Sequence, residues 1–187
     1  MRLLAPPGRG TRPITDRVKE SVFNILSNHG LPEGAVAADL FCGTGSMGLE
    51  ALSRGAAWVT FLDKDRRVLE ILKKNIARAA FTDRSRAIGA NIPSVGAAPS
   101  AEFGLYDLVF VDPPYKMSSH CGPGSTIARL MELIDTQVRP EAMVLLRTSD
   151  NALTGQQYAG LRAFDTRQWG TMKLVFYHKE TLQQETQ

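Results

Sequence analysis

The chain has 187 residues, 43% hydrophobic and 22% charged, enough for one domain with a proper buried core. No apolar run approaches the roughly 20 residues of a membrane span, and Met1-Arg2-Leu3-Leu4-Ala5-Pro6-Pro7 is too short in apolar residues for a signal peptide, so a cytoplasmic protein is expected. The net charge of +3 is mild, and the two cysteines, Cys42 and Cys121, lack metal-ligand spacing, which points to reduced thiols and no metal.

Residues 1–14 are rich in Pro, Gly and Arg and read as an extended arm, basic through Arg2, Arg9 and Arg12. Thr15 suits a helix N-cap, and Val18, Val22, Ile25 and Leu26 follow at helical spacing until Asn28-His29-Gly30. Residues 35–40 read as a first buried strand, followed by a glycine-rich turn and a helix through Leu49, Ala51 and Leu52 that Gly55 closes. A second strand over 58–62 ends at Asp63, and Val68, Leu69, Leu72 and Ile76 predict a helix over 66–78.

Lys64, Arg66, Arg67, Lys73, Lys74, Arg78, Arg84 and Arg86 add a second basic cluster. It would suit a polyanionic partner, and equally a set of solvated helix faces. A short strand over 86–88 precedes a stretch, 89–104, in which no element is legible. The chain then reads as a strand over 106–111, a mobile loop over 116–124, a helix over 125–136 and a strand over 142–147. Residues 164–169 and 172–177 would pair as a terminal hairpin around Gly170.

Strands alternating with helices predict a parallel, doubly wound α/β sheet with helices on both faces. The organisation expected is a basic arm and helix over 1–28, one sandwich over 29–180 and a polar tail over 181–187.

Gly43-Thr44-Gly45-Ser46-Met47-Gly48 satisfies G-x-G-x-x-G, and Asp63 lies 20 residues beyond Gly43. A nicotinamide dehydrogenase would carry the same turn and ribose-binding acid. Asp39 discriminates, because an acid just before the turn disfavours a pyrophosphate and suits the cationic methionine end of S-adenosylmethionine. Asn91, three residues past the third strand, could hydrogen-bond the adenine edge, although Asn also caps turns.

About 70 residues after Asp39, the run Leu108-Val109-Phe110-Val111 delivers Asp112-Pro113-Pro114-Tyr115 to the carboxyl edge of a sheet, where such folds bind ligands. The Asp112 carboxylate and Pro113 carbonyl could accept hydrogen bonds from an amine and turn its lone pair toward a methyl donor. Tyr115 could stack on a base. Pro113 and Pro114 would stiffen the lip. Cys121 has no base nearby in sequence and reads as incidental; Cys42 reads as a small filler beside the glycines.

These residues resemble the RsmD-type 16S ribosomal RNA guanine-N2 methyltransferases. The resemblance rests on Thr11-Arg12-Pro13-Ile14-Thr15-Asp16-Arg17-Val18-Lys19-Glu20, on Asp39 to Gly48 and on Gly48-Leu49-Glu50-Ala51-Leu52-Ser53-Arg54-Gly55-Ala56. It ends with Val111-Asp112-Pro113-Pro114-Tyr115. It implies a Rossmann-like fold of the class I S-adenosylmethionine-dependent methyltransferase type with an antiparallel C-terminal hairpin. It also implies a guanine in 16S ribosomal RNA as acceptor, in the small (30S) ribosomal subunit or a late precursor, and a monomeric enzyme.

By the same resemblance Asp112, Pro113, Pro114 and Tyr115 are the catalytic motif. Asp39, Phe41, Gly43, Gly45 and Asp63 are cofactor contacts, joined by Asn91 and Arg17, while Arg9, Arg12, Thr15 and Tyr115 meet the RNA. Three departures stand out: relatives begin with an additional strand before Leu3-Leu4, residues 92–104 are richer in Gly, Pro and Ala, and Asn91 stands where many have Asp. The same chemistry on DNA adenine, another RNA or a protein glutamine, and a non-catalytic RNA-binding assembly factor, are the alternatives to this reading.

Overall fold

A computed structural model describes residues 3–5, 14–99 and 103–181. The arm residues Arg9 and Arg12, and the tail over 182–187, lie outside the described residues. Helix α1, Asp16–Ser27, starts where the Thr15 hydroxyl accepts the Val18 N–H at 3.4 Å. Its face of Val18, Val22, Phe23 and Leu26 is buried, so the helix is one of the layers against the sheet.

Strand β1, Val36–Leu40, leads to α2, Ser46–Ser53; β2, Trp58–Asp63, leads to α3, Arg66–Arg78, and then β3, Ser85–Gly89. The stretch that was illegible in sequence contributes one short helix, α4, Ile92–Val95. It is followed by β4, Tyr106–Val111, a single turn α5, Tyr115–Ser118, and α6, Thr126–Asp135. Strands β5, Val138–Ser149, β6, Gln157–Tyr158, β7, Leu161–Trp169, and β8, Met172–Lys179, complete the chain.

The strands form one sheet in the order β3-β2-β1-β4-β5-β8-β7-β6. The ladders from β3 to β5 are parallel, and β8, β7 and β6 add on antiparallel, as the expected terminal hairpin requires. Side-chain alternation along the central strands builds two cores. Ala37, Leu108 and Phe110 face α1, α2 and α3, while Ala38, Val109 and Val111 face α4 and α6. Both faces being covered, β1 and β4 read as nearly unbroken apolar runs.

Two expectations are corrected. Strand β5 begins at Val138 rather than near 142, because Arg139 reaches both carboxylate oxygens of Asp107 at 2.7 Å and pins a stretch whose Pro140 and Glu141 look unlike a strand. The loop over 116–124, expected to be mobile, is tied down. Its start is helical, the Tyr158 hydroxyl donates to the Cys121 carbonyl at 2.5 Å, and Cys121 bridges to Thr154.

Candidate active site

After β1 the chain builds outward through β2 and β3 on one side, then returns to β4 and β5 on the other. The order therefore reverses between β1 and β4, where an open α/β sheet forms its ligand crevice. Leu40 and Val111 are the last registered pair of that ladder, and the Asp112 N–H reaches the Leu40 carbonyl at 3.3 Å. The glycine turn and the Asp-Pro-Pro-Tyr lip thus leave the sheet side by side.

The turn is set by its backbone. Phe41 takes φ 58°, the Cys42 N–H reaches the Leu62 carbonyl at 3.0 Å, and the Gly45 N–H reaches the Cys42 carbonyl at 2.8 Å. Three glycines serve different ends. A Cβ on Gly45 would fall 2.4 Å from Leu72 Cδ1, and one on Gly48 2.3 Å from Phe61 Cε1, so both permit close packing of α2. Gly43, at φ 54°, has nothing within 4 Å of the place its Cβ would occupy. Its bare face is open to a ligand.

Three carboxylates converge on this edge. Asp39, only 2% exposed, accepts the Gly48 N–H at 2.8 Å. Burial raises its pKa well above the usual carboxylate range; the Gly48 N–H opposes that, and the charges of Asp112 and Asp63 add to it. The two oxygens of Asp63 accept from Gly43, at 3.0 Å, and from Asp65, at 2.9 Å. Asp65 itself caps α3 through the Arg67 N–H at 2.9 Å, a local structural duty.

On the other side of the crevice Pro113 is buried, Pro114 starts α5, and Tyr115 is 47% exposed. The Pro114 carbonyl accepts the Met117 N–H at 2.8 Å, whereas the Pro113 carbonyl accepts no hydrogen bond from the described residues. Burial raises the Asp112 carboxyl, and the Arg147 guanidinium opposes that shift from 2.8 Å. Arg147 is a site residue that sequence reasoning missed. Its signal was available: an arginine closing the apolar run Met143-Val144-Leu145-Leu146.

Asp39, Phe41, Gly43, Gly45, Asp63 and Asp112 to Tyr115 are therefore brought to one edge. Asn91 lies at the same edge just beyond β3, where its side-chain amide donates to Ser94 Oγ at 2.9 Å. Arg17 is exposed on the first turn of α1, with no hydrogen bond or ion pair to these residues among the described ones. Cys42 and Cys121 are both buried; burial pushes the Cys121 thiol up to about 11, and its Sγ donates to the Ser118 carbonyl at 3.2 Å. A cavity of about 550 Å³ opens at the opposite, amino ends of the strands, beside the Asp107–Arg139 pair, and contains none of the residues above. Among the described residues no cluster of three His, Cys, Asp or Glu could hold a metal, and no helix is long and apolar enough to cross a membrane.

Known proteins resemble this chain in sequence and fold. The family model described as Conserved hypothetical protein 95 matches residues 1–178. Over 115 residues the chain is 37% identical to YlbH of Bacillus subtilis (strain 168), which covers 61% of each protein. It is 39% identical over 115 residues to the Ribosomal RNA small subunit methyltransferase D of Escherichia coli (strain K12), covering 62% of this chain and 55% of that one. The solved structure of Escherichia coli yhhF superposes with a TM-score of 0.78 at 29% identity, over 95% of this chain and 91% of that one.

The fold is that of the class I S-adenosylmethionine-dependent methyltransferases. Within that class, the chain belongs to the Conserved hypothetical protein 95 family, the RsmD type. The matched stretches span between 55% and 61% of the length of these two curated relatives.

Proposed function

We propose that the protein transfers a methyl group from S-adenosylmethionine to the exocyclic N2 of a guanine in 16S ribosomal RNA, within the small ribosomal subunit or a late precursor, in the cytoplasm. The observation that carries this reading is the placing of the glycine turn and the Asp112–Tyr115 lip on adjacent strands at the reversal of strand order. The E. coli relative's name supports ribosomal RNA as the acceptor.

The residues fit the cofactor. The open face of Gly43 admits a close approach, Asp63 offers carboxylate lone pairs to ribose hydroxyls, and buried Asp39 holds the turn while lending negative potential to a cationic methionine end. S-adenosylmethionine, when bound, supplies an electrophilic methyl: a nitrogen–carbon bond forms as the sulfur–carbon bond breaks, and sulfur keeps the electron pair. Asp112 and the Pro113 carbonyl orient the amine by accepting its N–H hydrogens, so that its lone pair faces the methyl. The surplus proton then leaves the nitrogen for solvent. Tyr115, exposed at the mouth, stacks on a base turned out of the RNA, a step that costs a few kcal/mol.

Residues 1–28 form the RNA side of this site in our reading, with Arg9, Arg12, Thr15 and Arg17 near the entrance. The exposed bases Lys64, Arg66, Arg67, Lys73, Lys74 and Arg78 extend it along α3 as contacts to phosphates. The test is transfer of labelled methyl to small ribosomal subunits lacking their native methylation, with naked ribosomal RNA, DNA and protein run alongside. Nucleoside mass spectrometry then identifies the product. N2-methylguanosine from subunits is the expected result. A methylated adenine or glutamine would assign another acceptor, and no transfer to any fraction would sink the reading.

A further inference from the structure

Arg147 sits where an apolar residue would be the cheaper choice. It follows Leu146, the partner of Val111, so it stands beside Asp112 across the β4–β5 ladder. Its side chain is 11% exposed and that of Asp112 31%. Taking Arg147 almost wholly, and Asp112 in large part, out of water costs free energy that offsets much of their attraction, so an apolar pair of similar volume could serve stability as well. Fold stability alone therefore does not call for an ion pair at this position.

The surroundings are one-sided. Asp39 from β1 and Asp63 from β2 bring negative charge to the same edge, and Asp112 itself lies close enough to Asp39 to raise it. Among the described residues, Arg147 from β5 is the cation that ion-pairs with this group, through Nη1 to Asp112 Oδ2 at 2.8 Å. A carboxylate held at one oxygen by a planar guanidinium cannot rotate freely, which fixes the direction of its other oxygen.

We propose that Arg147 is a positioning residue of the lip: it occupies Asp112 Oδ2 and leaves Oδ1, together with the Pro113 carbonyl, as the two acceptors for the substrate amine. This rests on the methyltransferase reading above. It divides the work at Asp112 between a structural oxygen and a reactive one. It also opposes the upward shift that burial gives this carboxyl.

The experiment compares full-length wild type with Arg147→Met and Arg147→Lys. Methyl transfer to undermethylated subunits is followed from about pH 5 to pH 9, with cofactor affinity measured by calorimetry and the Asp112 carboxyl titrated by carbon-13 NMR. Arg147→Met should lower kcat at least about 30-fold with cofactor Kd within about twofold. Its acid limb should move to higher pH, because a carboxyl without its cation protonates sooner. Arg147→Lys should restore part of the limb's position, but less of kcat, since a flexible ammonium does not set the carboxylate's direction as a planar guanidinium does.

A folded Arg147→Met with kcat within about threefold of wild type and an unmoved acid limb overturns the proposal. Should that variant not fold, Arg147→Lys decides: an unchanged kcat and limb overturn the proposal, and a lowered kcat with a moved limb supports it. Wild type that methylates nothing sinks the function instead. The carboxyl titration then tests the Arg147 contact alone, an unmoved Asp112 in the Arg147 variants counting against it.

Discussion

The Asp39 carboxylate accepts the Gly48 N–H at 2.8 Å, so an acid in the last two residues of β1 braces the first turn of the next helix. The same carboxyl is buried and raised. An acid raised on folding binds its proton more tightly in the native state than in the unfolded chain, whose value is near ~3.9. That contribution to stability is complete below the unfolded value and is lost as pH rises through the folded one. Asp39→Asn keeps an amide oxygen for Gly48 and removes the titration. We expect the variant to be more stable at neutral pH and to lose part of the fall in stability with rising pH. Denaturant melts across pH check this, and calorimetry should show weakened cofactor binding.

Gly48 and Gly43 should fail differently when given a methyl group. Gly48→Ala forces a Cβ into Phe61 and Val59, and overpacking of this kind costs roughly 1–3 kcal/mol. Gly43→Ala meets nothing, so its stability cost is about 1–2 kcal/mol from the positive φ alone. Its larger effect should be on cofactor affinity, because the added methyl fills the open face. Thermal melts and calorimetry on the two variants separate packing from binding.

Tyr115 projects from the lip without carrying the fold. Tyr115→Ala should change stability by no more than about 0.5 kcal/mol, as at other exposed positions. Methyl transfer should fall by the equivalent of about 1–3 kcal/mol of stacking. Tyr115→Phe keeps the ring and should stay near wild type. Steady-state transfer rates and melting temperatures are the measurements.

The cysteines should be inert in the folded protein. With its thiol pushed up to about 11 from an ordinary 9.0, Cys121 has about 100-fold less thiolate at pH 8 than an exposed cysteine, and burial slows access further. Iodoacetamide should leave Cys42 and Cys121 unmodified in native protein and modify both in guanidinium. Cys121→Ala should retain methyl transfer, against any nucleophilic role.

Strand 106–111 was legible to the residue because its run Leu108-Val109-Phe110-Val111, covered on both faces, is unbroken and apolar, and Asp112-Pro113-Pro114 marks its end. Helix 66–78 was legible because Leu69, Leu72 and Ile76 repeat at the helical period. The anchoring of the loop over 116–124 was not, since its restraint comes from the hydroxyl of Tyr158, 37 residues away in sequence. Arg147 was visible as an arginine closing an apolar run, but its pairing was not: its partner lies 35 residues earlier, and only the β4–β5 register brings them together. The Gly43–Asp63 hydrogen bond is another such non-local contact, although spacing alone had paired the two residues as cofactor contacts.

The pairing of Leu40 with Val111 also dictates when this site can exist. Each half of the crevice lies on its own strand, and the segment between them must close as a long loop before β1 and β4 meet. Strands β1, β2 and β3 alone carry the glycine turn but not the lip. A slip of one residue in the β1–β4 ladder would carry Asp112 about 3.3 Å along the strand and turn its side chain to the other face. The crevice is thus complete only when the two halves of the sheet are locked in register.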